Sequence, residues 1–414
     1  MHFPRIIERH ADEAAFLWGR RERAARSPVF DLPSLAAMDQ RLDANLEGLV
    51  IAGPAGLEAC LEGLRRAEAR TTDTAGELFA AVHVAAELGD AMALAKLLIR
   101  AEQHPRWEKA VVSALAWLSP AAAARVLAEL SAPDCPPTLQ RWALAGRGAR
   151  REDPGPALKA AVESEDAEMR SCAFRAMFQL GRRDLAPMAR AEVRSLGDGA
   201  DPWAVSCLVL FGDSSLIPAL LKVAEGGGPM AERAAVLAAC ASGTSDIDAR
   251  LQGLFQRGHR RAALSGAAAR GDAVSVPWVL AAMESHPDVA RRAAWVYSTI
   301  TGARMEPPLA VRKPEENPTD ETVHRLAQDA FEDLPAPQPV ALREHWASVE
   351  RGFPPGERRL AGQAITPAAL YEILRTGAQP HRELCALELS LTSALTGLFA
   401  VRAPGFRQAP PKGG

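Results

Sequence analysis

The sequence predicts an all-α fold, an α-solenoid of about eight stacked helical hairpins with divergent helical caps. Three observations predict it. Gly181, Gly212, Gly243, Gly271 and Gly302 recur every 28 to 31 residues, each behind an apolar helical stretch. After three of them a proline falls six residues on, in GRRDLAP (181–187), GDSSLIP (212–218) and GDAVSVP (271–277). Glycine accepts the left-handed conformation that ends a helix, and proline fits the first turn of the next, so this is the punctuation of helical hairpins. The third observation is composition. Hydrophobic content is 48% with 5% aromatic residues and two tyrosines, which leaves packing to Ala and Leu and suits close-packed helices better than a β-sandwich or barrel.

In chain order, residues 1–75 read as an N-terminal helical cap out of register with the repeats. Leu32, Leu35, Met38, Leu42, Leu46 and Leu49 step by three and four along one helix face. GPAG (53–56) breaks that helix, Leu57, Leu61 and Leu64 begin another, and Asp73 or Thr74 is the expected N-cap of the next. The array is expected over 76–305. It opens with helix, Gly89-Asp90, helix, and repeats the plan with Ser119-Pro120 at the turn. The step from Gly148 to Gly181 is longer, and REDPGPALKAAVES (151–164) makes that unit irregular. Residues 306–342 are Pro-rich and polar, as expected of a surface loop or linker. Residues 343–414 resume as a final helical pair capping the array, with APPKGG as a frayed tail.

Net charge is −3 and the pI about 6.3, so no global field draws the chain to nucleic acid or anionic lipid. Arginine far outnumbers lysine, a bias that a GC-rich genome produces. The charged start lacks the apolar core of a secretory signal, and no run reaches the length of a membrane span. Six scattered cysteines (60, 135, 172, 207, 240, 385) show no CxxC pair and read as buried thiols in a reducing compartment. A cytoplasmic protein with no membrane partner is the expectation.

Motifs of catalysis are not evident. The nine histidines are dispersed, with His83 in a core-like helix and His286, His324 and His381 at loops or helix starts. There is no HExxH, GxxxxGK[ST], GxGxxG after a strand or GxSxG, so no cofactor, metal or catalytic residue is expected. The Gly226–Gly228 run has no flanking basic residues and reads as a loop rather than a phosphate cradle. The aspartates of the Gly-Asp turns (89–90, 212–213, 271–272) are best explained as caps of the following helices.

Candidate partner-binding residues are Trp278, Lys222, Arg260, Arg261, Arg291 and Arg292. Arginine pairs recur at 182–183, 260–261, 291–292 and 358–359, and the middle two start equivalent first helices 31 residues apart, so they stack along one ridge. Such a ridge suits an acidic protein or a phosphate backbone, but interleaved Glu and Asp and sparse aromatics disfavour nucleic acid. Trp117, Trp142 and Trp295 read as core. Trp278 aligns with Ala219 and Met188, off the stripe of Ile217, Leu220, Leu221 and Ala224, where it is either an anchor for a partner or filler between repeats.

The short repeat with Gly-Asp at its turn resembles HEAT repeats, particularly the short variety of phycobilisome-lyase-like proteins, which implies a fold and no lyase activity. A more specific likeness lies in IIERHADEAAFLWGRRERAARSPVFDLPSLAAMDQRLDANLEGLVIAGPAG (6–56), AGELFAAVHVA, PDVARRAAWVYSTITG and the GERRLAGQ…LRTGAQPHRELCALELSL tail. These blocks resemble an uncharacterised family of proteobacterial proteins, without assigned catalytic residues, whose genes accompany type VI secretion spike, spike-tip and effector genes. The resemblance implies a non-catalytic protein-binding solenoid. Its role would be a secretion accessory, an adaptor or chaperone for an effector or spike component, or an immunity protein that occludes a cognate toxin. A reading of another class is a HEAT-like nucleic-acid-binding enzyme of glycosylase or lyase type, which would need an acid and aromatics converging within a basic rim.

Overall fold

The structure, a computed structural model, describes residues 4–70, 74–311 and 329–409. It is all-α, with only two two-stranded ribbons among the described residues. The chain opens with α1 (Pro4–Ala24), α2 (Leu32–Ile51) and α3 (Pro54–Ala69). Hairpins follow as α4 (Ala75–Leu88) with α5 (Ala91–Glu102), α6 (Glu108–Trp117) with α7 (Pro120–Leu130), and α8 (Pro137–Arg150) with α9 (Pro156–Val162). Next come α10 (Ala167–Leu180), α11 (Ala186–Leu196), α12 (Pro202–Leu210) with α13 (Ile217–Glu225), and α14 (Ala231–Ala241) with α15 (Asp246–Gln256). The series closes with α16 (Arg260–Arg270), α17 (Val276–Ser285) and α18 (Ala290–Thr301). Eight first helices, α4 to α18 by even number, match the expected repeat count. Two compact units divide the chain: residues 1–25, 33–180 and 400–409 form the first, and 26–32 and 181–399 most of the second.

In the first unit α4, α6, α8 and α10 pack in series, with α1 and α3 against α4. The leucine stripe of α2 is buried at Leu35, Leu42, Leu46 and Leu49. Gly56 lets α3 approach α2 closely, since a Cβ there would lie 2.0 Å from the Leu49 carbonyl oxygen. The expected turns form: Gly89 ends α4 at φ 71°, and the carboxylate of Asp90 accepts from the Ala93 amide at 2.9 Å. Thr74 precedes α4 but does not cap it; its hydroxyl accepts from Trp107 Nε1 at 3.0 Å. Asp73 lies outside the described residues. Gly148 is not a turn glycine, because α8 runs on to Arg150 and ends at Arg151 in the left-handed region. It lies inside α8 and faces α10, where a Cβ would stand 2.5 Å from the side-chain oxygen of Gln179 and in ordinary contact with Ala176.

An aromatic chain crosses this core. Trp18 stacks on Phe79 at 5.4 Å, Phe79 meets Trp117 edge-on at 6.1 Å, and Phe406 meets Trp117 at 5.9 Å. Arg21 and Asp39, both buried, hold residues 400–409 in place. Arg21 donates to Asp39 at 3.1 Å and to the carbonyls of Arg402 and Ala403, while Asp39 accepts from the Gly405 amide at 2.6 Å.

In the second unit the first helices α12, α14, α16 and α18 pack in series. Gly181, Gly212, Gly271 and Gly302 take positive φ as expected, but Gly243 does not, because α14 ends in extended backbone at Ser242. Residues 306–342 begin and end in a ribbon: β1 (Ala310–Val311) pairs with β2 (Ala336–Pro337), while 312–328 and His324 lie outside the described residues. The C-terminal part differs from the expected helical pair. It contains α19 (Pro339–Val349), a hairpin of β3 (Arg359–Leu360) and β4 (Gln363–Ala364), α20 (Pro367–Thr376) and α21 (Gln379–Leu391). These lie along the array: β3 packs on α16 and α18, α21 on α14, and α19 on α17.

The contact is made backbone to backbone. The Arg359 amide donates to the Gly271 carbonyl at 2.9 Å, and the Gly362 amide to the Thr299 carbonyl at 3.0 Å. A Cβ on Gly271 would lie 1.9 Å from the Arg359 carbonyl oxygen, and one on Gly181 1.8 Å from that of Thr396. Three repeat glycines, 181, 271 and 302, therefore end helices and also receive the C-terminal segment. Gly212 and Gly243 have open space.

Two predictions follow from this packing. Gly271→Ala and Gly212→Ala both force an L side chain into positive φ, costing about 1 kcal/mol each, but only Gly271→Ala also collides with backbone. Chemical denaturation should place Gly271→Ala about 2 kcal/mol or more below Gly212→Ala; equal values would refute the double role. In the first unit, burial pushes the His83 imidazole down to about 4 from its ordinary 6.5, and its Nδ1 has no partner. The unfolded chain thus takes up a proton below pH 6.5 that the folded one refuses, so stability falls as pH drops from about 6.5 to about 4 and levels off below. His83→Leu should flatten that part of the stability–pH curve, and an unchanged curve would count against it.

Candidate interaction surface

The second unit offers few side chains on its first-helix layer. Second helices α13, α15 and α17 pack on one side, the β3–β4 hairpin and α21 cover α14, α16 and α18, and α19 overlies α17. What remains open are the outer sides of α11, α13 and α15. Proline in the first turn starts α11 and α13, and α13 buries Leu220, Leu221 and Ala224 against α12 and α14, which turns Lys222 outward.

Between α13 and α15 runs a cleft of about 550 Å³. Pro218, Leu221, Ala249 and Leu254 supply its apolar lining, and Lys222, Glu225, Asp246, Arg250 and Arg257 its charge. The cations are matched within the chain: Lys222 pairs with Asp198 at 2.5 Å, Arg250 with Asp246 at 2.8 Å and Arg257 with Glu225 at 2.5 Å. The hydroxyl of Thr244 and the Arg250 guanidinium both bond to Asp246 and hold its carboxyl below the usual range. The result is a mixed, screened surface. A second cleft of about 440 Å³ lies between α11 and α12, lined by Arg183, Ala186, Arg190, Leu208, Phe211, Gly212 and Asp213.

The arginine ridge expected at 260–261 and 291–292 forms in register but not as a free basic surface. Arg292 is buried, pairs with Glu232 at 2.6 Å and Asp329 at 3.5 Å, and lies 4.3 Å over the Phe331 ring. Arg291 pairs with Glu332, Arg261 with Asp329 at 3.4 Å, and Arg260 with Asp288 at 3.5 Å. The acids come largely from the short 3-10 helix Ala330–Asp333 and the residue before it. The sequence signal, DAFED (329–333), is an acidic run around one aromatic, and its spacing to the arginines is not readable from the chain. Trp278 is half-buried, 5.4 Å from Phe255, which in turn meets His286. It fills space between α15 and α17 with one edge at the surface. Trp117, Trp142 and Trp295 are core residues as expected.

The buried ionisable groups of this unit hold backbone. Arg270 donates to the Ser242 carbonyl at 3.0 Å and pairs with Asp248 at 3.4 Å; Asp248 accepts from Ser275 at 3.2 Å. Burial and the neighbouring Asp272 push the Asp248 carboxyl up. Asp272 caps the next turn through the Val274 amide and accepts from the Gly356 amide at 3.0 Å. Arg358 donates to the carbonyls of Ala269 and Arg270 and pairs with Glu388. None of the six cysteines forms a disulfide, and no group of metal-ligating side chains occurs among the described residues. No helix among them is long and apolar enough to cross a membrane.

No family model, curated protein or solved structure matches this chain.

If the ridge is structural, its members differ in stability and not in ligand binding. Arg292→Ala should cost about 3 kcal/mol, because it strips a buried cation from Glu232, Asp329 and Phe331. Arg260→Ala, at an exposed pair, should cost less than about 1 kcal/mol. Urea denaturation of both variants checks this, and a small loss for Arg292→Ala would return the ridge to the free surface.

Proposed function

We propose that the chain is a non-catalytic protein-binding scaffold, working in the cytoplasm, that presents the outer sides of α11, α13 and α15 to a partner protein. The observation that carries this reading is the asymmetry of the second unit. Its first-helix face is largely occupied by the chain's own C-terminal segment, whereas a cleft between the second helices α13 and α15 and another between α11 and α12 stay open, with apolar linings and charged rims. The cations of α13 and α15 already have acid partners, which suits them poorly to the run of phosphate contacts that nucleic acid demands. They suit the polar rim of a protein interface, where charge sets orientation and specificity. The resemblance of residues 6–56 and the later blocks to type VI-associated proteins narrows the role to a secretion accessory, an adaptor or chaperone that grips an effector or spike component before loading.

The test is affinity capture of the full chain from its native cytoplasm, beside a Lys222→Glu/Arg250→Glu variant, with mass spectrometry of what is retained. One protein should be retained by the wild type and depleted about tenfold or more by the variant. Deleting the gene should then stop export of that protein. Recovery of nuclease-sensitive nucleic acid in its place would overturn the reading.

A further inference from the structure

On the second-helix side of the second unit, cations are answered by acids of the same chain, except on α11. Arg182 pairs with Asp184 at 2.7 Å, and Lys222, Arg250 and Arg257 have the partners described above. Arg190 and Arg194 are exposed, one turn apart on α11, and neither has an ion pair or hydrogen bond among the described residues. Like charges at that spacing cost a helix a few tenths of a kcal/mol. Arg190 also lines the cleft between α11 and α12.

Opposite it, Arg183 is already fixed in place. Its guanidinium lies 5.0 Å over the Phe211 ring and donates to the Phe211 carbonyl at 3.1 Å and to Ser393 Oγ at 3.2 Å. The cleft floor is apolar, from Ala186, Leu208 and Phe211, and Leu196 at the end of α11 is 47% exposed. Its acid, Asp213, accepts from Ser215 Oγ at 2.5 Å.

Resting on the protein-binding reading above, we infer that this edge of α11 docks an acidic segment of the partner, with carboxylates on Arg190 and Arg194 and an apolar side chain in the cleft beside Phe211. Charge complementarity selects the occupant. Two unpaired guanidiniums favour planar, bidentate carboxylate contact. A nucleic-acid strand would need the positive track to continue, and on α13 and α15 it is neutralised.

The experiment uses the full-length protein and a fluorescein-labelled peptide of alternating glutamate and leucine, followed by anisotropy. Controls are the same peptide with glutamine for glutamate, and a single-stranded oligonucleotide. The acidic peptide should bind about tenfold or more tighter than the glutamine peptide and the oligonucleotide, with affinity falling as salt is raised. Arg190→Glu/Arg194→Glu should abolish the preference at an unchanged melting temperature, since both side chains are exposed. Should that variant melt lower, Arg190→Gln/Arg194→Gln carries the same comparison. Equal binding of acidic and glutamine peptides, tighter binding of the oligonucleotide, or full acidic-peptide binding by the variants overturns the inference. Capture of a native partner that depends on Lys222 and Arg250 but not on Arg190 and Arg194 would overturn it too, and would leave the protein-binding reading standing.

Discussion

At Gly271 two stretches of main chain meet with no side chain between them, and the arrangement of the second unit depends on that contact. The Arg359 amide reaches the Gly271 carbonyl at 2.9 Å only because a hydrogen atom stands where a Cβ would collide at 1.9 Å. The Gly362–Thr299 bond beside Gly302 and the close passage of Thr396 over Gly181 repeat the device. A helical array ordinarily leaves both of its faces to solvent or ligand. Here one is taken up by residues 353–391, and the location of the free surface follows.

Arginine supplies the complementary half of the device. The carbonyls that end a helix have no partner within it, and a guanidinium can reach two of them at once. Arg125 donates to the Ala86 carbonyl at the end of α4, and Arg150 to those of Ala116 and Leu118 at the end of α6. Arg183 serves Phe211 beyond α12, Arg270 serves Ser242 beyond α14, and Arg358 serves Ala269 and Arg270 at the end of α16. The preference for arginine over lysine thus has a use in the fold whatever its genomic origin, since a single ammonium cannot span two carbonyls in a plane. Arginines consumed in this way are unavailable as a binding surface, which is the physical reason that counting arginine pairs overstates the basic character of the array.

The helices, their order and their turns were legible because each rests on local chemistry. The leucine stripe of α2, Asp90 at the start of α5 and Gly89 at the end of α4 are interactions within a few residues. Local chemistry also misleads where a residue serves a neighbour. Gly148 reads as a turn but lies inside α8, facing α10, and Thr74 reads as a cap but accepts from Trp107, 33 residues away. For the candidate surface, Lys222 is among the residues named from the sequence, and it lies outward beside the buried Leu220, Leu221 and Ala224. Burial of Arg292 by Phe331 and Asp329 was not legible, because nothing in the chain between them announces the return.

By itself, then, the sequence determined the class of fold: apolar stripes at helical spacing, glycine and proline at the joints, and an Ala- and Leu-rich core whose period needs no information from distant residues. Tertiary structure alone decided which face is open, because that depends on where residues 329–399 come to rest against parts of the array up to about 210 positions earlier. The amides of Arg359 and Gly362 select their places by main-chain hydrogen bonding at glycine turns, and main-chain groups are the same in every residue. A surface chosen in that way leaves a trace in the sequence only as glycine, where it is indistinguishable from the punctuation of a repeat.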